Sequence, residues 1–202
     1  MRSLQGEPGC DPVPLPCHGK GEAAMGGFKF VPWGKTHRLD RDTVVTEKID
    51  GTNACVVIGE DGKFLGAQSR RRIITPESDN YGFAAWAYRH GDKLAELLGP
   101  GYHYGEWWGN GIRRNYGMRG KKFYLFDALR WETAGAYFAE QVPGLGVVPI
   151  ISRGDNFFET IREAEQWLTE NGSVVAPGYP RPEGMIVYHV PTQARFKIIF
   201  DK

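Results

Sequence analysis

Thr46-Glu47-Lys48-Ile49-Asp50-Gly51-Thr52-Asn53 is the stretch on which the reading of this chain turns. Thr43 to Thr46 is short and β-branched, which suits a strand. Asp50-Gly51 signals a tight turn, and the apolar run Ala54 to Ile58 suits a second strand. Lys48 is therefore expected at a strand end, held against a pocket wall. A lysine amine becomes a usable nucleophile when burial or a neighbouring cation favours its neutral form. Lys-x-Asp-Gly by itself is a weak motif, and a lysine before a turn is usually solvated. What surrounds the stretch has to decide between the two.

Working outward, Glu60-Asp61-Gly62 reads as a hairpin between Ala54–Ile58 and Lys63–Gln68. Tyr81 to His90 fits a helix. Asp92 is expected to cap a helix over Lys93 to Leu98 that stops at Gly99-Pro100. Tyr102 to Glu106 reads as a strand, as does Phe123 to Leu129, interrupted by Asp127. Phe157 to Asn171 has helical spacing at Phe158, Ile161, Ala164 and Leu168 and is closed by Gly172. Gly184 to Val190 and Arg195 to Phe200 are two strands joined through Pro191-Thr192. Strands dominate and helices are inserted among them, so the expected class is α+β, with antiparallel sheets and flanking helices.

Residues 1–24 differ from the rest: they are rich in Gly and Pro and lack hydrophobic periodicity. They read as a disordered extension, with residues 25–202 as a single domain. Cys10, Cys17 and His18 lack the second ligand pair of a zinc site. The chain has 202 residues and a formal net charge of +1, so any grip on nucleic acid must come from a local patch. Its three cysteines have no framework spacing, which points to a reducing, cytoplasmic setting without disulfides. No apolar run reaches membrane-spanning length, and the N-terminus lacks a secretory core.

Three acids fall in or beside β-runs, where a solvated role is not expected: Glu106, Asp127 and Glu183. A carboxylate at a strand end can bind a ribose hydroxyl or a divalent cation, although an edge position or a buried ion pair is the commoner explanation. Between Glu106 and Asp127 there is no acid, but there are Arg113, Arg114, Arg119, Lys121 and Lys122, with Asn115, Tyr116 and Tyr124 among them. Arg70, Arg71 and Arg72 form a second basic cluster. Cations interleaved with aromatics suit a phosphate backbone and stacked bases, and equally a solvated loop. Lys197 lies in an apolar strand, either as an edge guard or facing a phosphate.

Taken in order, these pieces resemble the covalent nucleotidyltransferases: DNA ligases, RNA ligases and capping enzymes. Residues 46–53 resemble the RNA-ligase branch, most closely the phage T4 RNA ligase 2 type, and ordered motifs extend from Phe28 to Phe200. The resemblance implies an ATP-grasp-like ligase adenylation domain that uses ATP and Mg²⁺ or Mn²⁺. It further implies that Lys48 takes AMP from ATP, passes it to a 5′-phosphate RNA end, and lets a 3′-hydroxyl displace it. Glu47 would lie beside the adenine and Phe126 would stack on it. Glu106 would bind the ribose, Arg70 the ribose and phosphates, Lys197 the AMP phosphate and Glu183 the metal. Asn53 would handle the nucleic-acid end, with Arg113, Arg114 and Lys121 on the RNA.

Two departures stand out. The last family motif normally has two lysines one residue apart; here the pair is Arg195 with Lys197, or Lys197 with Ile199. The chain also stops just after that motif, so the grip on substrate is expected from this domain, with the 110–122 loop as its natural site. The competing readings are a guanylyltransferase or DNA nick sealer of the same superfamily, and a non-catalytic nucleic-acid-binding module.

Overall fold

The computed structural model describes residues 24–25 and 28–200. The expected extension lies outside them apart from Ala24, as do Cys10, Cys17 and His18. Residues 1–36 and 37–202 form two separate units. In the first, Ala24–Met25 (β1) pairs antiparallel with Phe28–Lys29 (β2). Everything below concerns the second.

Thr43–Lys48 (β3) is buried along almost its whole length, because Val44 and Val45 favour extended backbone and Val45 packs into a core. It is an inner strand of a four-stranded antiparallel sheet with Ile150–Gly154 (β10), Gly184–His189 (β11) and Ala194–Ile199 (β12), in the order β10-β3-β11-β12. The helix Phe157–Asn171 (α5) covers one face, burying Ala164 and Leu168 against Val45, Met185 and Val187. Its ends match the sequence reading: Asn156 Oδ1 accepts from the Glu159 amide, and Gly172 closes it.

The second sheet has six strands. Thr52–Ile58 (β4) pairs with Phe64–Ser69 (β5) and with Gly101–Gly109 (β7). Ile73–Ile74 (β6) lies beyond β5, while Lys121–Leu125 (β8) and Leu145–Val147 (β9) lie beyond β7. All neighbours are antiparallel except β8 and β9, which run parallel. Phe83–Arg89 (α1), Gly91–Leu98 (α2) and Gly135–Gln141 (α4) cover one face of this sheet, over a core that includes Phe83, Trp107, Phe123 and Leu145. The turn at Asp50-Gly51 carries the chain from the first sheet into the second.

Two elements differ from expectation. The strand expected over Phe123–Leu129 stops at Leu125; Asp127 instead caps a short helix, Ala128–Trp131 (α3), by accepting from the Arg130 amide. A side-chain acceptor that satisfies a helix N-terminus competes with a ladder bond, and here the cap wins. The cap of α2 is His90, and Asp92 lies in its first turn, where its charge still suits the helix dipole.

Candidate active site

Alternation along β3 puts Thr46 and Lys48 on one face and Val45 and Glu47 on the other. Thr46 and Lys48 line a cleft of about 720 Å³. Lys48 sits directly across from Gly184 on β11, and its Nζ donates to Glu183 Oε2 at 2.5 Å. On the other side of the turn, the Gly51 amide donates to Glu106 Oε1 at 3.1 Å. A side chain at Gly51 would collide with the Trp107 carbonyl, 2.5 Å from an added Cβ, so the close approach that brings Lys48 to Glu106 demands glycine.

Glu106 lies on β7 between Asn53 of β4 and Tyr124 of β8. Two residues back along the same face is Tyr104, whose carbonyl accepts from the Phe126 amide. Phe126 and Lys197 both line the cleft. Arg195 and Lys197 are one alternation apart on β12 and both line the cleft, which Ile199 does not. The Arg195 guanidinium lies over the Tyr188 ring, 4.4 Å from its centroid.

Burial pushes the Glu106 carboxyl up to about 7; Lys48 and the Gly51 amide pull it down, while Glu183 and Asp50 push it further up. Glu106 therefore sits in the field of Lys48, Glu183 and Asp50 at once. Among the described residues, no three His, Cys, Asp or Glu side chains cluster as a ready-made metal cage. A hard divalent ion arriving with phosphates needs only one or two protein carboxylates; Glu106 and Asp127 line the cleft, and Glu183 contacts Lys48 at its edge.

Of the other expected site residues, Glu47 is among those lining the cleft, whereas Asn53, Arg70, Arg113, Arg114 and Lys121 are not. The carboxylate of Glu47 faces away: it is fully buried and accepts from Ser173 Oγ and the Val174 amide at 2.7 Å each and from the Val175 amide at 3.2 Å. Burial raises its pKa despite those donors. Strand alternation is the reason that the carboxylate faces away. Asn53 lies beside Glu106 without lining the cleft. Arg70 is exposed at the tip of the β5–β6 turn, also outside the cleft lining. Arg113 is exposed. Arg114 forms an ion pair with Asp50 at 3.3 Å and donates to the Arg181 carbonyl, and Lys121 donates to the Tyr81 carbonyl at 2.7 Å. Two of the three expected RNA cations therefore bond to other parts of the chain.

Among the cleft-wall residues that the sequence reading did not name as site residues are Tyr102, Tyr104 and Arg130. The alternation Tyr102-x-Tyr104-x-Glu106 was a usable signal for the first two, since it sets all three on one face of a strand. Nothing local marks Arg130.

Two sheets joined by a lysine-bearing turn, with a cleft edged by that lysine, two carboxylates and a second basic pair, define a nucleotidyltransferase-type ligase domain. The RNA ligase family matches residues 41–199, and the chain belongs to that family. No curated protein matches it. Among solved structures, the fold is similar to Naegleria gruberi RNA ligase. A mutant with AMP and Mn gives a TM-score of 0.58 at 20% identity over 80% of this chain and 50% of that one. A mutant with ATP and Mn gives 0.58 at 21% identity over 81% and 51%. An apo mutant gives 0.56 at 22% identity over 79% and 50%. The chain spans about half the length of these structures. No helix of the described residues is long and apolar enough to cross a membrane.

Proposed function

We propose that this chain is an ATP-dependent RNA ligase working through a lysyl-AMP intermediate. The observation that carries the reading is Lys48 at the edge of one cleft with Glu106, Phe126, Arg195 and Lys197, in direct contact with Glu183. The neutral Lys48 amine attacks the α-phosphorus of ATP; a P–N bond forms, the bond to the β-phosphate oxygen breaks, and pyrophosphate leaves. The amine gives up a proton in the process. AMP then passes to an RNA 5′-phosphate, and a 3′-hydroxyl displaces it to make the phosphodiester.

Phosphoryl transfer asks a protein mainly for positioning and charge neutralisation. Lys197 and Arg195 supply fixed positive charge on the wall adjacent to Lys48. Glu106 accepts the ribose hydroxyls and Phe126 stacks on the adenine. The backbone of Glu47 borders the base. Glu183, with Glu106, would hold Mg²⁺ or Mn²⁺, which when bound neutralises charge on the triphosphate. The relatives of similar fold include RNA ligases with ATP and Mn, and with AMP and Mn, which supports the same ligands here. Arg113 at the exposed loop, with Arg70 and Asn53 nearer the second sheet, are the proposed contacts to RNA.

Intact mass after incubation with ATP and Mg²⁺ or Mn²⁺ tests this. The parent is expected to gain one AMP through an acid-labile, alkali-stable bond, and Lys48→Ala to gain none. Equal gain in Lys48→Ala would sink the reading.

A further inference from the structure

The loop between β7 and β8 is built around a conformation that ordinary residues avoid. Arg113, Asn115 and Tyr116 all have positive φ, at 46°, 62° and 51°. Asparagine tolerates this; arginine and tyrosine do so at a cost, and such strain persists only where surrounding contacts enforce it. The loop's own hydrogen bonds close it tightly: the Asn110 amide donates to the Gly120 carbonyl, and the Gly111 amide to Asn115 Oδ1.

What the strained backbone delivers is two side chains to one place. Tyr116 is buried, wedged between Trp108 and Tyr179, with ring centroids 5.2 and 4.9 Å away. Its hydroxyl oxygen accepts from the Asp50 amide at 2.7 Å. The Arg114 guanidinium reaches the carboxylate of the same residue, 3.3 Å away, and donates through Nη1 to the Arg181 carbonyl at 3.2 Å. Asp50 lies two residues after Lys48, and Arg181 two residues before Glu183. One guanidinium therefore links the turn that aims the lysine to the segment that carries its carboxylate partner, which come from opposite ends of the domain.

We propose that Arg114 and Tyr116 are positioning residues for Lys48, holding the Asp50-Gly51 turn so that the amine faces the α-phosphorus in line. The inference rests on the reading of Lys48 as the nucleophile, and it removes Arg114 from the RNA-binding surface expected from sequence. It also explains a basic residue inside a loop whose neighbour Arg113 is exposed.

The full chain tests it through two steps that differ in their need for the lysine. Self-adenylylation requires Lys48 to attack; sealing RNA that already carries a 5′-adenylate does not. Tyr116→Phe removes only the acceptor and keeps the ring, and Arg114→Gln removes the charge. Because small misplacements of a reacting group cost up to about a hundredfold, each is expected to slow AMP labelling at saturating ATP by about tenfold or more. The KM for ATP should stay within about threefold, since groups remote from the nucleotide act on the chemical step. Labelling is expected to fall much more than sealing of the pre-adenylylated RNA. Amide exchange across residues 48–51 should rise while the melting temperature stays near the parent's, and Arg114→Lys should recover part of the labelling. Equal labelling in parent and variants overturns the inference and leaves the ligase reading intact. So does a parallel fall of labelling, sealing and melting temperature, which would mean that the pair only holds the fold. A parent that takes up no AMP overturns the reading of Lys48, and this inference with it.

Discussion

Burial brings the charge change of the Glu106 carboxyl close to neutrality. Its folded pKa of about 7 stands above the ordinary 4.5, so between those values the folded chain binds more protons than the unfolded one. Stability from this group is therefore present at low pH and declines as pH rises through that window. Urea denaturation at pH 5 and pH 8 should show a smaller decline in Glu106→Gln than in the parent. Nucleotide affinity should run the other way in the parent, rising through about pH 7 as the carboxylate becomes available to ribose hydroxyls. Glu47 makes the contrasting case. Its neighbour in sequence is the proposed nucleophile, yet its carboxylate serves the 173–175 segment. Replacing it with Gln sets an amide against donors, and unsatisfied buried groups of this kind cost roughly 1–3 kcal/mol. The loss is expected in denaturant midpoint, with the ATP dependence of labelling at permissive temperature close to the parent's. An effect confined to the KM for ATP would show that the carboxylate reaches the base.

At the scale of elements, each sheet has one face for its core and the other for the cleft. The outer face of the smaller sheet belongs to α5, which contributes stability without touching the site. Asn156→Ala removes its cap and should cost about 1 kcal/mol in urea denaturation, a loss typical of N-caps. AMP labelling should be unchanged where both proteins remain folded; a matching loss of labelling would mean that α5 acts on the cleft. The strands were legible because their apolar residues alternate or run continuously, and α5 because its spacing and closing glycine agree. The short strands β6, β9 and β10 carried no such pattern, being defined by the partners they meet. The strand that ended early at Leu125 was decided by a competition invisible locally, between a ladder bond and the Asp127 cap.

For the whole molecule, the cleft and its flanking sheets lie within residues 37–202. We take residues 25–202 as the nucleotidyltransferase domain, so a chain lacking residues 1–24 should label with AMP at the parent's rate and melt at the parent's temperature. A large loss of either would make those residues part of the working unit. A formal net charge of +1 gives no general attraction for a polyanion, so the proposed grip on RNA would rest on local cations such as the exposed Arg113.

From the sequence alone came the lysine that the proposed mechanism uses, the antiparallel α+β class and the order of the motifs, because these depend on local patterns: a turn after a β-branched run, alternation, and residue types in sequence. Only the tertiary structure decided which of the charged groups face one another. Glu47 and Lys48 are adjacent in the chain and point to opposite sides of a strand, whereas Arg114, Asp50 and Arg181 are far apart and meet. Side-chain direction follows from strand pairing, and the pairing of distant strands is fixed by burying both sheets at once rather than by any one segment.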